Sequence, residues 1–507
     1  MQETALRQRL CLSDTGTLWI TGLAFTLMHI ATSGRYGFHR DELLSYTNAL
    51  HLDWCYVVYS PITAWLARGE LAIFGTSLTG YRFLAAVSIG LVAVLSGLIA
   101  RQLGGKRQAI LVAAVAASIG GPVVFSGSFL SYMTFDMFCW VAVAWCIACL
   151  LRSQDPRWWL ATGAAVGIGI MCKYTMLFLV AGLLGGMLLT PNRRFLRSIW
   201  FWAGIALALA IISPVVFWQF QHHFVGLDWM KSIHARDIRW GRTDYFLLNQ
   251  FWKATNPITV PLWCAGLWFL FATQQGKPFR LLGWMYVIPL VAFLAARGRD
   301  YYLSPGYPML LAAGAVWGER WLASLQPRVA GAVVRATWNS LVISGLIVVS
   351  LVAPIAPVNS AWWRVADAAN DSFNMEIGWP EIAATVAQVR DTFPTGDRTH
   401  LGILAGDEGE AGAINLYGHA YGLPAAISGM NSNWLRGYGD PPPQTVIMVG
   451  MDHDFLERNF VNCTWAAHLS NPYGVINEAI GKYSEVYVCG APRQGWPEFW
   501  KHFQSFG

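Results

Sequence analysis

Apolar runs without a charged residue, each near the length that crosses a lipid bilayer, recur along the first 358 positions. A helical crossing needs about 20 mostly apolar residues. The clearest runs are 83–100, 110–135, 174–192, 198–219, 254–276 and 336–358. Shorter or interrupted ones are 17–33, 137–151, 158–172, 281–296 and 305–318. In hydrocarbon every backbone N–H and C=O must be satisfied internally, so runs of this kind predict helices. The expectation is an α-helical membrane protein with about eleven transmembrane helices. Composition agrees: 13% of residues are charged, about half the roughly 25% of soluble domains. A soluble enzyme, a disordered chain, a coiled coil and a disulfide scaffold are excluded. The net charge of +6 is spread too thinly to point to nucleic acid. Run 17–33 passes into Gly34-Arg35-Tyr36-Gly37 with no small-residue cleavage site, so it is expected to remain as a helix rather than be removed.

Basic residues collect in alternate short loops. Arg7 and Arg9, Arg101 with Lys106 and Arg107, and Arg152 with Arg157 fall on one side. Arg193, Arg194 and Arg197, then Lys277 and Arg280, then Arg320 and Arg328 continue it. Positive loops stay cytoplasmic, which predicts a cytoplasmic N-terminus and, with an odd helix count, an extracytoplasmic tail in the plasma (cell inner) membrane. The opposite loops, 35–80, 219–253 and 297–304, are longer or mixed in charge, and function is expected there.

Past Val358 the long apolar runs stop, and short ones such as 401–405 and 445–449 alternate with Gly, Pro and Asn. Residues 1–357 read as a multi-span membrane domain and 358–507 as an extracytoplasmic soluble α/β domain, long enough for a core of its own. Cys463 and Cys489 are the only cysteines of this tail. Outside the membrane they are a disulfide candidate, with two buried thiols as the alternative.

Isolated charges mark the candidate chemistry. The loop after the first run carries Arg40-Asp41-Glu42, a carboxylate pair beside a base. A carboxylate at that depth can deprotonate a hydroxyl or hold a divalent cation against a phosphate. The plainer alternative is an acidic helix N-terminus favoured by the dipole. Asp136 stands alone between two apolar runs, where an ionised carboxylate costs about 2.5–3.5 kcal/mol even on the lenient insertion scale. The loop alternation puts Lys173, Arg297, Arg299 and Asp300 at the same extracytoplasmic level. Bases there can clamp a phosphate and acids can activate what displaces it. An internal ion-pair network is the competing reading. No pair among His39, His51, His222, His223 and His234 has the spacing of a zinc motif, so the metal is left open.

These residues carry a resemblance. Residues 38–65 (FHRDELLSYTNALHLDWCYVVYSPITAW) resemble the first outer loop of the dolichyl-phosphate-mannose-protein mannosyltransferase superfamily, glycosyltransferase family 39, whose bacterial members include aminoarabinose transferases. Residues 131–140, 218–223 (WQFQHH) and 299–308 (RDYYLSPGYP) agree in order and spacing. In the tail, 406–434 resembles the C-terminal region of bacterial members. The resemblance implies a C-type glycosyltransferase fold and transfer of a sugar from a polyprenyl-phosphate donor to a lipid, glycan or protein acceptor at the extracytoplasmic face, with inversion. It implies Asp41 and Asp136 as catalytic acids. Lys173, with Arg299 and Arg297, would bind the donor phosphate, and Arg40, Glu42 and Tyr301 would support the site. One departure stands out: the aminoarabinose transferases carry an acidic–Lys pair before the first-loop proline, serving metal and phosphate. Here Tyr59 and Ser60 precede Pro61, which puts a divalent metal and the aminoarabinose substrate in doubt. Two other readings compete. A flippase for a lipid-linked intermediate would carry paired broken helices, and the two halves show no such symmetry. A scaffold presenting the tail would gain nothing from buried charges such as Asp136.

Overall fold

The computed structural model describes residues 14–370 and 372–507. Arg7 and Arg9, used above for orientation, lie outside the described residues. The chain divides into two compact units. The first holds the residues up to Ser33, Arg82–Phe217 and Asp237–Ala353; the second holds Gly34–Tyr81, Trp218–Arg236 and Pro354–Gly507.

The first unit is helical. Among the described residues, Phe83–Gln102, Tyr132–Ser153, Ile199–Gln221, Lys277–Ala295 and Pro327–Val352 are long and apolar enough to cross a membrane. Two bent pairs raise the number to seven if each is one crossing: Arg107–Ser118 with Gly121–Ser128, and Met176–Leu188 with Pro191–Arg197. The remaining apolar runs are helical over Asp14–Thr32, Trp158–Ile170, Val260–Ala272 and Tyr307–Leu322. Burial sorts the crossings. Tyr132–Ser153 is 83% buried over its most apolar window and is central, whereas Pro327–Val352 is 17% buried. The latter turns Ile343, Leu346 and Ile347 outward, an apolar face that only lipid solvates well.

Run 110–135 is not one helix, and this corrects the sequence reading. Gly120-Gly121-Pro122 ends Arg107–Ser118 and bends the path by 66°, because proline removes the N–H that would continue the ladder. A second break follows at extended Phe129, after which Ser131 caps Tyr132–Ser153 with its Oγ accepting the Met133 N–H at 3.2 Å. Asp136 therefore lies just inside a helix N-terminus. Small residues let the helices close up: a Cβ on Gly266 would lie 2.0 Å from the Leu310 carbonyl, and one on Gly314 1.8 Å from that of Leu262. Close backbone approach of this kind is how apolar helices associate without a hydrophobic driving force.

The second unit contains a five-stranded mixed sheet. Its strands are β1 (Leu401–Ala405), β2 (Ile427–Ser428), β3 (Thr445–Val449), β4 (Thr464–His468) and β5 (Glu485–Gly490), in the order β2-β1-β3-β5-β4. β1 runs parallel to β2 and β3, while β5 is antiparallel to β3 and β4. β1 is buried along its whole length, as expected of a strand covered on both faces. Leu404, Val446, Met448, Phe460, Trp496 and Phe499 form one core. Thr464 pairs with Val488, which brings Cys463 to Cys489, and the two are disulfide-bonded.

Candidate active site

The Arg-Asp-Glu triplet opens the helix Arg40–Leu50 in the second unit, and local capping decides what each carboxylate can do. His39 is the N-cap: its Nδ1 accepts the Asp41 N–H at 3.1 Å, and the Glu42 carboxylate accepts the His39 N–H at 2.8 Å. Glu42 is fully buried and accepts one bond of this reciprocal cap, so it is enclosed by the fold rather than presented to a substrate. Asp41 keeps 27% of its side chain exposed and lies 3.5 Å from Arg40 Nη2. Of the two acids, Asp41 is the one a substrate can reach.

The helix Glu408–Tyr417 packs against this first-loop helix. A Cβ on Gly412 would lie 2.6 Å from Leu43 Cβ, so the Gly-Glu-Ala-Gly-Ala run exists to let two backbones approach. Its N-terminus brings Asp407 and Glu408 toward Arg40, and Glu478 ion-pairs with Arg40 from farther along the tail. Burial works against the Arg40 charge, but Asp41, Asp407, Glu408 and Glu478 together outweigh it and raise its pKa. Burial pushes the Glu408 carboxyl up to about 8, against the pull of Arg40 and with Asp407 and Asp41 adding to the rise. Glu408 accepts from Asn431 Nδ2. Burial, with Asp407, also lifts Glu410 to about 8. None of these tail carboxylates was singled out from sequence; the capping pattern Asp407-x-x-Glu410 was their only visible signal.

A second cluster lies in the first unit. Lys173 sits in the turn between Trp158–Ile170 and Met176–Leu188, with its ammonium over three rings. The distances are 4.4 Å to Tyr302, 5.2 Å to Tyr301 and 5.2 Å to Tyr132. Asp136 is 2% exposed, and its Oδ2 accepts the Thr175 hydroxyl at 2.8 Å. Arg299 is committed elsewhere: its Nε and Nη2 donate to the two carboxylate oxygens of buried Asp237, both at 2.6 Å. A bidentate pair of this kind ties up two of the guanidinium's donor groups in a fixed geometry. Arg299 Nη1 also donates to the Tyr301 hydroxyl at 3.2 Å. Arg297 closes the preceding helix in the left-handed conformation with its side chain exposed. Lys173 is thus the cation of this cluster that stands over aromatic faces rather than in a bidentate ion pair. Tyr132 and Tyr302 lie within the segments 131–140 and 299–308 but were not picked out there, because an aromatic near a membrane interface reads as a belt residue. Asp237 was hidden in the mixed loop 219–253. Within the second unit, Trp218 stacks on His222 at 3.9 Å and Gln219 Oε1 accepts the Gly226 N–H, giving the WQFQHH segment a local packing role.

Among the described residues no three His, Cys, Asp or Glu side chains are grouped to hold a metal ion. At the positions before Pro61, the Tyr59 hydroxyl accepts from Asn48 Nδ2 at 2.7 Å, and Ser60 is fully buried.

Comparison with known proteins gives these clusters a context. Residues 59–218 match the family model described as dolichyl-phosphate-mannose-protein mannosyltransferase. Among curated proteins the chain is similar to undecaprenyl phosphate-alpha-4-amino-4-deoxy-L-arabinose arabinosyl transferase 2 of Pseudomonas fluorescens (strain Pf0-1). Identity is 23% over 284 residues, covering 50% of this chain and 49% of that protein. Arabinosyl transferase 1 of another strain (ATCC BAA-477 / NRRL B-23932 / Pf-5) is 26% identical over 180 residues, 34% of this chain and 30% of that protein. The chain therefore spans half or less of the length of these curated relatives. In fold it is similar to ArnT from Cupriavidus metallidurans bound to undecaprenyl phosphate, with a TM-score of 0.57, 14% identity, and coverage of 94% of this chain and 98% of that one. It is also similar to the Archaeoglobus fulgidus oligosaccharyltransferase tethered with an acceptor peptide, at a TM-score of 0.50 and 12% identity, covering 93% and 75% of the two chains. Residues 59–218 thus resemble the dolichyl-phosphate-mannose-protein mannosyltransferase family by sequence, and nearly the whole chain resembles ArnT in fold.

Proposed function

We propose that the protein is an integral-membrane glycosyltransferase that moves a sugar from a polyprenyl-phosphate donor to an acceptor at the extracytoplasmic face. The acceptor is a hydroxyl or comparable nucleophile on a lipid, glycan or protein. The observation that carries the reading is the division of labour at the first-loop helix, where Glu42 is enclosed in the cap and Asp41 remains accessible. Relatives named as arabinosyl transferases, and a fold neighbour bound to undecaprenyl phosphate, support the same donor class.

In this reading the acceptor oxygen attacks the anomeric carbon as its proton passes to an Asp41 carboxylate oxygen. The bond from that carbon to the phosphate oxygen breaks, its electron pair leaves with polyprenyl phosphate, and the anomeric configuration inverts. Phosphate is a good leaving group, so the step needs one base and a cation rather than a strong acid. Lys173 is the proposed phosphate cation. Arg299 and Arg297 are secondary, the first because Asp237 already holds it. Asp136 is the second proposed catalytic carboxylate. We also take the eleven apolar helices as eleven crossings, with residues 1–357 as the membrane domain and 358–507 as an extracytoplasmic domain. The test is purified protein in vesicles supplied with undecaprenyl-phosphate pentoses and hexoses. Release of undecaprenyl phosphate by wild type and its loss in Asp41→Asn are expected, whereas equal release by both would remove the reading.

A further inference from the structure

Arg40 stands between the proposed base and the tail. Its Nη2 lies 3.5 Å from Asp41 Oδ1, while Nη1 is ion-paired with Glu478, 438 positions along the chain. From the helix Glu408–Tyr417, Asp407 and Glu408 act on the same guanidinium. Lys482 follows Glu478 on its helix, and its charge acts on Glu410. On the helix of Asp41, the Glu42 carboxylate is held by the cap. One cation therefore serves four carboxylates, and only Asp41 among them is a candidate for the reaction. A guanidinium drawn toward Glu478 gives less of its field to Asp41, and one released from Glu478 gives more.

We propose that Arg40 is the positioning residue of Asp41 and that Glu478, from the tail, sets how much of the Arg40 charge Asp41 receives. The proposal rests on Asp41 acting as the base. It explains why a tail far away in sequence supplies acids to the first-loop helix: the tail tunes the group that accepts the proton. A nearby cation favours an ionised carboxylate and a nearby anion disfavours it. The two variants must therefore move the acid side of the rate–pH profile in opposite directions.

The experiment uses the full chain in vesicles, with whichever undecaprenyl-phosphate pentose or hexose the wild type consumes, and reads kcat against pH. Arg40→Gln should move the acid-side half-point up by about one pH unit, a roughly tenfold relative loss of kcat on that limb. Arg40→Lys keeps the charge and should hold the limb near the wild-type position. Glu478→Gln should move the limb down, and should move it no further when added to Arg40→Gln, because it acts through Arg40. An active Arg40→Gln enzyme with the wild-type profile overturns the proposal. So does a Glu478→Gln shift of equal size in both backgrounds, or an upward one. If Arg40→Gln does not fold, Arg40→Met replaces it in both comparisons, and Glu478→Gln alone can still overturn the proposal, since an absent or upward shift contradicts it. Failure of the base reading looks different: Asp41→Asn would then turn over at the wild-type rate.

Discussion

At the scale of single residues, a carboxylate that closes a helix cap is not available as a base, and the pair Asp41-Glu42 shows how one hydrogen bond separates two chemically similar neighbours. Asp41→Asn keeps the shape but cannot take a proton, so kcat should fall about 10²–10⁴-fold, with the folded yield and donor binding unchanged. Glu42→Gln should keep turnover within a few-fold and stability nearly unchanged, because its amide oxygen can still accept the His39 N–H, whereas Glu42→Ala should lose about 1 kcal/mol; a melting curve and a rate assay on the same sample check both. Lys173→Met should raise the donor KM with a smaller effect on kcat. Tyr302→Leu should do the same and Tyr302→Phe should not, because the ring face, 4.4 Å from the ammonium, is what holds the cation. Equal behaviour of the two Tyr302 variants would remove the aromatic contribution. In the sequence Asp136 and Lys173 stood out as isolated charges beside apolar runs, and Asp41 as one of a carboxylate pair beside Arg40. The partners Asp237, Glu408 and Glu478 were not, since pairing across 62 or 438 positions leaves no local trace.

At the scale of elements, apolar periodicity located the helices but not their breaks. The bend at Gly120-Gly121-Pro122 and the restart at Ser131 depend on cap geometry, which run length does not register. The Gly-Glu-Ala-Gly-Ala segment looked like a family signature, and its physical meaning appears only in the contact between two helices. Gly412→Val should cost about 1–3 kcal/mol by overpacking against Leu43, whereas Gly318→Ala, with open space around it, should be near neutral. Chemical denaturation of the two variants checks this. The same tail helix gives a pH dependence. Glu408 and Glu410 rise from about 4.5 to about 8 on folding. The folded state therefore binds more protons than the unfolded one between those values. Their contribution is full below pH 4.5 and is lost as pH rises through about 8. Melting temperature should fall across that window, and Glu408→Gln with Glu410→Gln should flatten the slope; an unchanged slope contradicts the assignment.

At the scale of the whole molecule, the lipid-solvated composition and two strands of the tail, 401–405 and 445–449, were readable from residue order alone. The division into units was not. Segments 34–81 and 218–236 cluster with the tail, because a loop's packing partner is set by tertiary contact rather than by the runs that flank it. The alternation of Lys and Arg carries a prediction of its own: a reporter inserted near Lys106 should be cytoplasmic and one fused after Gly507 extracytoplasmic, and the same side for both would contradict the orientation. The central claim is that the protein breaks the bond between a sugar and polyprenyl phosphate, and it is tested most directly by following that bond in vesicles holding the purified chain. Undecaprenyl phosphate should appear in step with glycosylated acceptor for wild type and fall to background for Asp41→Asn. Sugar-lipid that crosses the bilayer with its bond intact, or release that is indifferent to Asp41, would contradict the account.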